Sequence, residues 1–124
     1  MKSALAVALG GAAGSVLRYL LSKFVQVFLG ISFPLGTMFV NILGAFLIGF
    51  SFSFLVERLA VHPLYRFLLI TGFLGGFTTF STFTYESLTL LREGENVKFF
   101  IYFLGTNILG MIAVFLGYKL GESL

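Results

Sequence analysis

The sequence predicts an all-α integral membrane protein with four transmembrane helices. Three observations carry that prediction. Hydrophobic residues make up 58% of the 124 and charged residues only 10%, against roughly 25% charged in an average soluble domain. A chain this short has too little interior to hide the excess apolar surface from water. Finally, four apolar stretches reach the ~20 residues a helix needs to cross a bilayer. The same composition excludes a soluble monomer, a disordered tail and a disulfide scaffold.

The first span is expected at about residues 3–29, interrupted by Arg18 and Lys23. Its start loosely fits a secretory leader, but the apolar run continues through Val16-Leu17 and Tyr19-Leu20-Leu21, which suits a spanning helix better. The second, about 35–56, holds no charge, and Pro34 can sit in its first turn. The third, about 64–91, contains Glu86. The fourth, about 97–120, is free of charge as far as Leu116. The connections are short, so residues 1–124 form one domain.

Cys and Asp are both absent, and His62 is the lone histidine. Thiolate sites, carboxylate-rich metal clusters and Ser-His-Asp arrangements are therefore excluded, and no enzyme is expected. The net charge is +3. The cations stand singly between apolar runs, which fits helix flanks rather than a nucleic-acid surface.

Charge does not orient the chain. With four spans, the termini and middle loop share one side and carry Lys2, Arg58, Arg66 and Lys119. The other side carries Lys23, Arg92 and Lys98, with Arg18 near the end of the first span. Either an unseen feature decides the orientation, or the chain inserts both ways and pairs as an antiparallel homodimer. Small-residue faces at Gly10/Gly14, Ala45/Gly49 and Ala113/Gly117/Gly121 suit close helix packing, within one chain or between two.

Polar residues inside spans mark candidate sites, because lipid offers them no partner. The densest set runs from Thr71 to Thr84. Gly75-Gly76 followed by Thr78-Thr79 is a poor helix interior, so a break is expected there. Broken helices at membrane depth commonly hold ions. Asn41 lies in an otherwise apolar run, where its amide either bonds another helix or donates to an anion. Asn107 repeats the situation. Tyr102 and Thr106 share a helix face, as do Phe80 and Phe83. The edge of a phenyl ring is positive, so rings turned edge-on could attract an anion. Arg18 either snorkels to the interface or concentrates anions at a vestibule. Glu86 either pairs with a cation or faces a water-filled mouth. His62 reads as a solvated loop residue.

The segment Gly72-Phe73-Leu74-Gly75-Gly76-Phe77-Thr78-Thr79-Phe80-Ser81-Thr82-Phe83 resembles the signature of the Fluc, or CrcB, family of fluoride channels. The resemblance extends to Gly10-Gly11-Ala12-Ala13-Gly14 with Arg18-Tyr19, to Pro34-Leu35-Gly36-Thr37 with Val40-Asn41 and Gly44, and to Asn107 with Gly110. It implies an antiparallel, dual-topology homodimer in the cell (plasma or inner) membrane, with two pores that pass fluoride out of the cytoplasm. It implies that Phe80 and Phe83 line the pore and that Asn41 donates beside them. Ser81, Thr82, Tyr102 and Thr106 would form a polar track, with Arg18 at the vestibule. Backbone carbonyls of Gly75 and Thr78 would hold a structural sodium ion at the dimer axis. The alternative is a small proton-coupled multidrug exporter. It needs a carboxylate within the membrane, for which Glu86 is the only candidate. A non-transporting assembly subunit is a further possibility.

Overall fold

The computed structural model describes all residues, Met1–Leu124. It is entirely helical, and four of its helical stretches are long and apolar enough to cross a membrane. Helix α1 spans Lys2–Leu29 and ends on Gly30, whose left-handed φ of 62° lets its N–H return to the Gln26 carbonyl. Such a C-cap strongly favours glycine. Helix α2 follows Pro34 and is α-helical over Leu35–Phe50 before widening into π-helical turns over Ser51–Arg58.

The third span contains two helices. Helix α3, residues 63–77, begins with Pro63 in its first turn, where a missing N–H costs nothing. It ends at Phe77. Thr78 (φ −94°, ψ 159°) and Thr79 (φ −148°, ψ 121°) are extended. Helix α4 then runs Phe80–Arg92, with the Thr79 hydroxyl accepting the Thr82 N–H as its N-cap. After a tight turn at Gly94 (φ 75°), helix α5 covers Asn96–Ser123.

Helix α1 packs along α3, and α2 packs along α5. Glycines make both seams possible. A Cβ on Gly10 would collide with the Leu68 carbonyl, and one on Gly14 with the Phe73 carbonyl. Gly49, Gly117 and Gly121 play the same part between α2 and α5, against Val114, Phe46 and Ser53. Most of the small-residue stripes visible in the sequence are therefore consumed inside one chain. The interior they enclose is thin. Its fully buried large side chains are Tyr102, Phe77 and Val40, while leucines, isoleucines and phenylalanines point outward along every span. That distribution suits a hydrocarbon surrounding, where apolar side chains have no reason to turn inward and only backbone bonding is compulsory.

Candidate functional site

The two extended residues determine the site. In an unbroken helix the Thr79 N–H would close onto the Gly75 carbonyl, and the Thr82 N–H onto the Thr78 carbonyl. Here the Thr79 N–H goes to Asn41 Oδ1 at 2.8 Å, and the Thr82 N–H goes to Thr79 Oγ1 at 3.2 Å. Both carbonyls lose their helical donors. The next carbonyl, that of Gly76, accepts from Arg18 Nε at 2.9 Å. A cation at the C-terminal end of α3 also opposes the helix dipole.

Asn41 completes the junction. Its Nδ2 donates to the Thr79 carbonyl at 3.0 Å while its Oδ1 takes the Thr79 N–H. One amide thus satisfies both backbone groups of the most extended residue. The second Nδ2 proton is free for another acceptor.

A groove of about 410 Å³ opens beside this junction. Asn41, Thr78, Thr79, Phe80, Phe83 and Thr106 line it, with Asn107 and Gly110 further along α5. Phe83 is buried, whereas Phe80 stands 77% exposed at the rim. Their ring centroids are 6.2 Å apart at an interplanar angle of 51°. The Thr106 hydroxyl is buried and has no hydrogen-bond partner. A buried unpaired hydroxyl costs about 1–3 kcal/mol, and such a group calls for a partner outside the chain's own hydrogen bonds.

Tyr102 lies one turn before Thr106 on α5 and outside the groove. It is completely buried. Phe83 packs against it at 5.1 Å, and its hydroxyl donates to Glu86 at 2.8 Å. Glu86 makes no ion pair within the chain and is held by the Tyr102 hydroxyl. Ser81 is exposed, with Oγ 3.5 Å from the Thr79 hydroxyl, and Thr82 is half-buried with its N–H capped. Arg18, Ser81, Thr82, Tyr102 and Gly75 do not line the groove that holds the two phenylalanines. Gly75 lines a second groove of about 530 Å³, which shares Asn41 and Thr78 with the first.

Three further residues take part in backbone contacts. Arg18 is half-buried, and its Nε is tied to the Gly76 carbonyl. His62 is exposed but not idle: its Nδ1 accepts the Leu64 N–H at the start of α3. Thr79, a candidate in no role of its own, proves central as Asn41's partner and as N-cap. A hydroxyl residue directly before an amphipathic stretch is the signal that could have found it.

Fold and site together define a small multi-pass membrane protein with an aromatic and hydroxyl-lined groove beside a helix break. The chain belongs to the CrcB family: the family described as "CrcB-like protein, Camphor Resistance (CrcB)" matches residues 5–118. A protein of Aquifex aeolicus named "Fluoride-specific ion channel FluC" is 68% identical over 119 residues, covering 96% of each chain. Proteins of the same name from Hydrogenobaculum sp. and from a strain of Thermus thermophilus are 53% and 51% identical. Each alignment covers 97% of this chain, and 98% and 94% of the relatives respectively.

Proposed function

We propose that this protein is a passive fluoride channel of the cell membrane. It would let fluoride that enters as the neutral acid leave the cytoplasm as the ion. The full-length likeness to relatives named for that activity carries the choice of ion. The groove supports the choice of path. Asn41, Thr106, Phe80 and Phe83 all line one groove, and the Thr106 hydroxyl has no hydrogen-bond partner within the chain.

Fluoride is small and strongly hydrated, so a narrow path must replace its water with donors. The Asn41 amide and Thr106 hydroxyl supply strong ones, and phenyl edges supply weak positive ones. None carries a full positive charge, which keeps binding loose enough for exit. The chemistry requires no covalent step and no enzyme-type group.

The groove is open along one side, with Phe80 at its rim. A second copy inserted in the opposite orientation would close it, and two copies would give two pores. The balanced Lys and Arg distribution supports dual insertion. The break in the third span would then lie within the membrane, covered by protein on both sides.

The residues also fit a structural sodium ion. A hard cation takes oxygen ligands, and the Gly75 and Thr78 carbonyls are the two that have lost their helical donors and share a groove. When bound there, sodium would supply a fixed positive charge between two copies. Arg18, Asn41 and Thr79 hold the surrounding backbone open for it. The exporter alternative gains no support, since Glu86 is engaged by Tyr102.

The test is efflux. Purified protein in potassium-fluoride-loaded vesicles, with valinomycin balancing charge, releases fluoride quickly and chloride slowly if the proposal holds. Verified dimers that release neither ion would refute it.

A further inference from the structure

We infer that Gln26, on α1 and outside both grooves, is a positioning residue for the Phe83–Tyr102 pair, acting through Phe33. The inference rests on the channel reading above. The Gln26 side chain makes three hydrogen bonds, all to the backbone of the α1–α2 turn. Its Nε2 donates to the Ile31 carbonyl at 3.0 Å and the Phe33 carbonyl at 2.8 Å, and its Oε1 accepts the Gly36 N–H at 3.0 Å. Both amide protons are used. The Gly36 N–H belongs to the first turn of α2, where amides have no helical partner. The turn has no helical ladder of its own, and Gln26 supplies the side-chain hydrogen bonds that tie it to α1.

What the clamp fixes is Phe33. Its ring meets Tyr102 edge-on, with centroids 5.6 Å apart and planes at 89°. The Phe83 ring and Glu86 also hold Tyr102, in a cluster that includes Leu90, Met38 and Phe99. Phe83 and Glu86 stand on α4, so Phe33 is the neighbour among these that depends on an irregular segment. The route is contiguous: Gln26 to the Phe33 backbone, the Phe33 ring to Tyr102, and Tyr102 to Phe83 in the groove wall. Two other ties touch the turn: the Leu35 N–H meets the Phe33 carbonyl at 2.7 Å, a bond within the segment that does not anchor it to α1, and Lys98 reaches Ser32 at 3.0 Å from an exposed position. A turn freed from Gln26 lets Phe33 withdraw, and the buried Tyr102 ring loses the surface that sets its tilt against Phe83.

Unitary fluoride current across planar bilayers tests this, because it is read one channel at a time and does not depend on how much protein folds. Gln26→Glu keeps an acceptor for Gly36 but sets a second oxygen against two carbonyls. Phe33→Leu leaves the clamp intact and removes the ring. Each is expected to lower unitary current at least about threefold, as loosening the support of a tight site does. The double variant should pass no less than the poorer single, because both act on one route. Full-size current in Phe33→Leu overturns the inference, even if Gln26→Glu fails to assemble. So does full-size current in Gln26→Glu, or a double variant whose loss is the product of the singles. Wild-type protein run alongside separates the two readings. Its silence would overturn the channel proposal and this inference with it, whereas normal wild-type current beside full-size variants overturns this inference alone.

Discussion

The Asn41 side chain holds Thr79 by both backbone groups, donating to its carbonyl at 3.0 Å and accepting its N–H at 2.8 Å. Through this pair α2 stabilises the break between α3 and α4. Asn41→Leu would strand both groups at about 1–3 kcal/mol each. Asn41→Asp is the sharper variant. It keeps the acceptor for the N–H but turns a carboxylate toward the carbonyl and toward any incoming anion. Vesicle efflux should fall much further than the yield of assembled protein on gel filtration. Wild-type efflux in the Asp variant would remove Asn41 from the conduction path.

Phe80→Ile and Phe83→Ile should abolish fluoride efflux while the protein still assembles. The two differ in stability. Phe83 is buried among Tyr102 and Phe103, so its loss should cost about 1–3 kcal/mol. Phe80 is exposed on the isolated chain, and its loss should leave the protomer's thermal midpoint unchanged. Normal efflux in both variants would sink the assignment of these rings to the pore.

Thr106→Val separates function from stability. The unpartnered hydroxyl already costs the fold its desolvation, so an isosteric valine should leave the thermal midpoint equal or raise it. Efflux should drop about tenfold, the factor that ~1.4 kcal/mol of lost ion stabilisation produces. A valine variant that conducts normally would show the hydroxyl has no contact with the ion.

Neighbouring glycines should respond with opposite signs. Gly14→Ala drives a methyl into the Phe73 backbone and should cost about 1–3 kcal/mol by prying α1 from α3. Gly11→Ala meets only the Gly72 carbonyl at 3.8 Å, an ordinary contact. There, helix propensity should dominate and stability should rise by up to about 1 kcal/mol. Thermal denaturation in one detergent measures both.

The proposed sodium site depends on a cap. Thr79→Val removes the oxygen that draws the Thr82 N–H away, so that N–H can close onto the Thr78 carbonyl. Wild-type protein should melt higher in sodium chloride than in a bulky organic-cation chloride, and the valine variant should show a much smaller difference. Equal midpoints for the wild type in the two salts would argue against a bound sodium.

Much of this is legible in the residues. Span number follows from hydropathy because the bilayer thickness imposes a length. Of the two pairs that oppose a helix interior, only Thr78-Thr79 are extended; Gly75-Gly76 stay helical, because backbone bonding outweighs their weak propensity. The meeting of Phe80, Phe83, Asn41 and Thr106 in one groove needs the pairing of α2 with α5, which no local pattern encodes. Residue patterns leave Arg18 and Glu86 without assigned partners for the same reason. Their partners, the Gly76 carbonyl and the Tyr102 hydroxyl, lie 58 and 16 residues away in the chain.

The sequence by itself determined that this is a four-span membrane protein with polar residues concentrated in one span, because lipid penalises charge and unpaired backbone residue by residue. Only the tertiary structure decided which polar groups are spent on the fold and which are left over. Asn41, Arg18 and Glu86 are engaged by backbone or hydroxyl partners, while the Thr106 hydroxyl is not. That division is a matter of three-dimensional proximity: a hydrogen bond forms only where packing brings donor and acceptor to about 3 Å, whatever their distance in sequence.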